Sequence, residues 1–160
     1  MPIPLFASAF TGLGKPGDFE WEIQTQYRGR SALYIFNDNV ADHRSCFSGA
    51  GNAVIRVWNR YGFGKTRAAG VSTGWSGRHG GFQKLTNDVR KIIDADLLEI
   101  RDLLALGEYS EVVYSADPRN SDVLGTGTFH VEAAVRTYVV SQLRLLTSTI
   151  RVSAGGKTSY

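Results

Sequence analysis

Three short stretches of this chain combine side chains and backbone types suited to holding a phosphate-bearing ligand. The first is Asn37-Asp38-Asn39, whose short amide and carboxylate groups suit a ribose, a base or a substrate amide. The second is Ser48-Gly49-Ala50-Gly51, where Gly49 and Gly51 let the backbone approach an anion and the free amides of a helix start attract one. The third is Leu124-Gly125-Thr126-Gly127-Thr128-Phe129, in which two glycines bracket Thr126 and allow consecutive amides to line a concave anion nest. Each has a plainer use. Asn and Asp make turns by bonding their own backbone, and Ser48 is a good helix cap with no ligand at all. Position in the fold has to decide between the two.

Catalytic groups are sparser. Asp38 and Asp117 are the general-base candidates, because both are expected at strand exits. His43 and Cys46 share a loop, but an activated thiol needs a partner or a depressed pKa, so Cys46 is read as an ordinary loop residue. His43, His79 and His130 lack metal-ligand spacing, and neither a metal nor a cofactor is expected. Gly64-Lys65-Thr66 and Gly156-Lys157-Thr158 end like a nucleoside-triphosphate loop, yet Asn59 and Arg151 stand where its first glycine belongs. Trp75 and Arg78 have two readings, as groups that stack on a base or close a lid, or, for Trp75, as a loop tryptophan that plugs the sheet edge.

These residues need elements to position them. Phe19, Trp21 and Ile23 alternate with polar neighbours and predict a half-buried strand over 18–27. The run Ala32-Leu33-Tyr34-Ile35-Phe36 predicts a central strand buried on both faces. Ala50, Ala53, Val54, Val57 and Trp58 recur at helical spacing and predict a helix over 48–60, with Asn52, Arg56, Asn59 and Arg60 facing out. A short strand follows over 67–73, then a glycine-rich segment, 74–81, expected as a mobile loop. Asp94 is the expected N-cap of a helix stopping at Gly107; Val112-Val113-Tyr114 reads as another buried strand, and a last helix carries Val131, Val135, Val139 and Leu146 on one face.

Strands alternating with helices predict an α/β fold, a single-domain mixed, mostly parallel sheet with helices on both faces. Residues 1–17 are expected as an irregular N-terminal arm, 18–147 as the domain and 148–160 as a polar C-terminal tail. In such sheets ligands bind beyond the carboxyl ends of the strands. That brings Ser72 and Thr73, at the exit of the third predicted strand, into the ligand-binding set.

Composition agrees with one globular domain: 160 residues, 42% apolar and 21% charged, with a net charge of +3 and no run of Lys and Arg. The single cysteine, Cys46, excludes an internal disulfide framework and a cysteine-rich zinc site, and it fits a cytoplasmic location. The N-terminus reads as neither signal peptide nor anchor, and no apolar stretch is long enough for a membrane partner.

The order of these features resembles the macrodomain family and its small, divergent macro-like relatives of bacteria and phages, over residues 18–146. The resemblance implies that Asn37 and Asn39 lie near a distal ribose and that Gly49 and Gly51 wrap a phosphate. It further implies that Gly125, Thr126, Gly127 and Phe129 hold a diphosphate. The implied function is binding of a nucleotide or ADP-ribose-like small molecule of the NAD-derivative type, and some members hydrolyse ADP-ribosyl bonds. The chain departs from the family pattern in a sparser first glycine loop and in the insertion Asp117-Pro118-Arg119-Asn120-Ser121-Asp122. The rival reading keeps the fold without the pocket, as a nucleic-acid-binding or protein-interaction module with Arg56, Arg60, Lys65, Arg67 and Arg78 on one positive face.

Overall fold

The computed structural model describes residues 2–127, 129–152 and 158–159. In chain order it runs β1 (Leu5–Ala9), α1 (Phe19–Thr25), a 3₁₀ turn (Tyr27–Arg30), β2 (Ala32–Asp38), a longer 3₁₀ helix (Gly51–Trp58), β3 (Ala68–Ser72), β4 (Gly74–Ser76), β5 (Gly80–Gly81), α2 (Asn87–Ala105), β6 (Glu111–Asp117), β7 (Asn120–Leu124) and α3 (Ala133–Thr149), ending in β8 (Arg151–Val152) and β9 (Thr158–Ser159). Strands β1, β6, β2 and β3 lie side by side in that order, all parallel, and β7 adds one antiparallel partner to β6. The mixed, mostly parallel α/β sheet expected from the sequence is therefore present.

The alternation of side chains along β2 explains why it sits at the centre. Leu33 and Ile35 enter one apolar cluster with Ile93, Ile100, Val139 and Leu143 from α2 and α3. Ala32, Tyr34 and Phe36 point the opposite way, into a second cluster with Phe19 of α1 and Ile55 of the long 3₁₀ helix. Both faces of the sheet are thus covered, as a continuous apolar strand requires.

Several elements differ from expectation for identifiable reasons. The segment over 18–27 is not a strand. Asp18 caps it by accepting the Trp21 amide, Glu20 and Glu22 sit in the first turn, and Phe19 and Glu22 face inward three residues apart. Buried Glu22 accepts the Gly17 amide at 2.9 Å and the Tyr34 hydroxyl at 3.3 Å, so a position that reads as polar surface is an interior anchor. The N-terminal arm is not wholly irregular: Leu5–Ala9 pairs with β6, and Pro2, Pro4 and Pro16 all lie outside the ladder.

The helix expected over 48–60 is a 3₁₀ helix from Gly51 to Trp58 without a side-chain cap, and Ser48 is not its cap. Gly51 enters it at φ +56°, a left-handed conformation that glycine adopts freely. The tighter winding buries Asn52, Ile55 and Arg56, so Asn52 and Arg56 face in, not out. Residues 74–81 are not a featureless loop but contain the β4–β5 hairpin, docked by hydrogen bonds from Val40 to Gly74 and from Ala41 to Trp75. Helix α2 starts earlier than Asp94, because Thr86 caps it by accepting the Val89 amide at 3.1 Å. The polar stretch after Ala116 contains β7, and the start of the expected tail belongs to α3, which runs to Thr149.

Candidate functional site

At the carboxyl ends of β2 and β6 the three ligand-suited stretches converge on one cavity of about 480 Å³. Asn37, Asp38 and Asn39 leave β2 along one wall, Ser48 to Ala53 form a second, and Gly125, Thr126, Gly127 and Phe129 close a third. Phe10, Phe47 and Phe129 supply aromatic surface, and Phe47 is 76% exposed. Thr128 lies outside the described residues. Ser72 and Thr73 are wholly buried and do not line the cavity, because they lie at the end of β3 beneath the β4–β5 hairpin. Asp117 does not line it either: its carboxylate accepts the Arg119 amide at 2.8 Å and faces Arg136 at 3.1 Å, and these donors hold its pKa below the usual range.

The side chains of the Asn37-Asp38-Asn39 stretch are already employed. Asn37 donates to the Gly125 carbonyl at 2.9 Å and meets the Thr73 hydroxyl with its own carbonyl, tying the Gly125 loop to the sheet. Asn39 closes a local turn with Asp42 through bonds of 3.0 and 3.1 Å. Asp38, 1% exposed, accepts Arg56 Nε at 3.1 Å, Arg56 Nη2 at 2.6 Å and the Asn39 amide at 2.9 Å, while its other oxygen faces His43 Nδ1 at 3.1 Å. A carboxylate held this completely is a keystone for the cavity floor, with no oxygen left turned to the cavity.

What faces the cavity is mainly backbone. Thr126 and Gly127 are exposed, and their amides have no hydrogen-bond partner among the described residues. Gly51 and Asn52 open the 3₁₀ helix, where first-turn amides have no acceptor within the helix. Glycine is needed at 125 because a Cβ there would lie 2.8 Å from the Ala116 carbonyl oxygen, where the chain leaving β7 crosses β6. At 127 the same atom would meet nothing, and neither glycine has positive φ.

Two residues that the sequence pattern turned outward organise this floor. Asn52 accepts the Phe19 amide and donates to the Gly17 carbonyl and Ser115 hydroxyl, each at 3.0 Å. Arg56, 3% exposed, also donates to the Phe47 carbonyl at 3.1 Å. With Arg56 buried and Arg67 bonded to the Gly29 carbonyl at 2.6 Å, the proposed positive face is not continuous.

Behind Asp38 lies a second charged group. His43 Nε2 is 3.1 Å from Asp96 Oδ1 and 3.0 Å from Glu99 Oε2. Burial alone would lower the His43 pKa, but its bond to Asp38 and the charges of Asp96, Asp38 and Glu99 raise it to about 9. Burial raises that of Asp96 to about 6 against the opposing pull of His43 and of the Ser72 amide. Sequence spacing gave these residues no relation, since only the return of α2 across β3 brings Asp96 and Glu99 to the loop after β2. Cys46 is half-buried and unbridged. Among the described residues no helix is long and apolar enough to cross a membrane. No family model, curated protein or solved structure matches this chain.

Proposed function

We propose that the cavity binds a phosphate-bearing nucleotide of the ADP-ribose or NAD-derivative type. The observation that carries this reading is the convergence of the Gly51 helix start and the Thr126-Gly127 amides on one cavity of about 480 Å³, within the range of small-molecule sites. Two groups of undonated amides are what a diphosphate asks for, and the aromatic surfaces of Phe10, Phe47 and Phe129 suit the flat or apolar faces of a base and sugar. The resemblance to macrodomains noted from the sequence points to the same ligand class.

Binding is better supported than hydrolysis. Asp38 is saturated by Arg56 and His43, and Asp117 is turned toward Arg136, so neither is a free base beside the ligand. Calorimetric titration with ADP-ribose, NAD and AMP tests the proposal. The expected result is saturable binding that requires the phosphates; absence of binding for all three up to millimolar concentration would overturn it.

A further inference from the structure

We propose that His43, Asp96 and Glu99 form a binding site for a divalent transition-metal ion, behind the ligand cavity, where α2 passes over the carboxyl ends of β2 and β3. Asp96 and Glu99 are three residues apart on α2 and therefore share a face, and His43 meets them from the loop after β2. One donor atom from each lies within 4.8 Å of the other two.

Every one of the three is aimed by a second group. The Nδ1 of His43 faces Asp38 Oδ2 at 3.1 Å, the Ser72 amide holds Asp96 Oδ2 at 2.7 Å, and the Tyr61 hydroxyl holds Glu99 Oε1 at 2.9 Å. The remaining atoms, His43 Nε2, Asp96 Oδ1 and Glu99 Oε2, turn toward one another. Metal-binding histidines characteristically give their other ring N–H to a carboxylate, which fixes the tautomer and ring angle, and Asp38 supplies that carboxylate. Without an ion a proton on His43 fills the gap between the two oxygens. A divalent cation in its place would bring twice the charge to two carboxylates.

Ser72 ties the cluster to the end of β3. The Ser72 hydroxyl, in a residue only 1% exposed, lies on the Asp96 carboxyl and with the Ser72 amide favours its charged form. One imidazole nitrogen with two carboxylate oxygens suits Zn²⁺ or Mn²⁺ better than Ca²⁺, which takes an all-oxygen shell.

The test uses the full chain after chelator treatment and dialysis. Titration with ZnCl₂ and with MnCl₂ is followed by calorimetry and by the thermal midpoint, and CoCl₂ is added to read visible absorption. The expected result is one ion bound per chain and a raised midpoint. Glu99→Gln should weaken binding about 10–100-fold and remove the Co²⁺ band, because a ligand is lost while the helix is kept. The Glu99 side chain is 24% exposed against 10% for His43, so Glu99→Gln is expected to disturb folding less than a change at His43, and its thermal midpoint without metal checks this. His79→Ala, at an exposed residue, should bind as the parent does. No saturable ion, an unchanged Glu99→Gln, or loss of binding in His79→Ala would each overturn the proposal.

Discussion

At the scale of single residues, the pair Asp38 and Arg56 dominates. Both side chains are almost wholly buried, and the guanidinium meets the carboxylate through two nitrogens. Removing one partner leaves the other charged in the interior, so Arg56→Ala is expected to cost about 3–5 kcal/mol, measured by urea denaturation. The role of Asp38 was legible only in part: its place at a strand exit is a matter of pattern, but its partners lie in a loop and on a 3₁₀ face that the pattern turned outward. The pH dependence of the chelator-treated chain follows from the same neighbourhood, where Asp38, Asp96, Glu99, Arg56 and Tyr61 surround His43. His43 has a folded pKa raised from 6.5 to about 9, so its stabilising contribution is full below 6.5 and lost as pH rises through 9. Asp96, raised from 3.8 to about 6, acts in the same direction at lower pH, its contribution being lost between about 4 and 6. Unfolding free energy is therefore expected to fall between pH 6.5 and 9 by on the order of 1–3 kcal/mol, read from urea midpoints across that range. A flat profile would show that His43 is not held as the imidazolium.

At the scale of elements, the two glycines of the third loop separate packing from ligand contact. Gly125→Ala must displace the Ala116 carbonyl or the chain leaving β7, and is expected to lower both stability and affinity. Gly127→Ala has open space and no positive φ, so its stability should stay within about 0.5 kcal/mol of the parent, as for surface changes away from special features. A loss of nucleotide affinity of about 1–3 kcal/mol in Gly127→Ala would then report a phosphate at that Cα; calorimetry beside a thermal melt checks both halves. This loop, β2, β3 and the core of β6 were readable because apolar runs and paired glycines are local signals. Helix α1 was not, because Phe19, Trp21 and Ile23 fit a period of two over so few residues, whereas the capping by Asp18 and the inward turn of Glu22 depend on partners elsewhere. The same limit hid β1 and β7, which are strands because β6 offers them a ladder.

At the scale of the whole molecule, one buried amide joins parts of the chain that the sheet alone would not connect. Asn52 links the turn before α1 through the Gly17 carbonyl, α1 itself through the Phe19 amide, and the end of β6 through Ser115, all from the 3₁₀ helix that walls the cavity. Such an amide uses both its acceptor and its two donors, so its identity as Asn matters as much as its size. Asn52→Asp tests this sharply. The carboxylate keeps the shape and still accepts the Phe19 amide, but it turns an oxygen toward the Gly17 carbonyl, where an N–H stood. A buried acceptor facing an acceptor, with an added charge in the interior, is expected to destabilise the fold by about 2–4 kcal/mol and to weaken nucleotide binding with it. Urea midpoints give the first quantity and calorimetry the second. Hydrogen exchange should show the protection of α1 and the 3₁₀ helix falling before that of α2 and α3, which pack on the opposite face of the sheet in a separate apolar cluster. Uniform loss across both faces would mean instead that the domain opens as one unit and that Asn52 stabilises it without specifically holding the cavity wall.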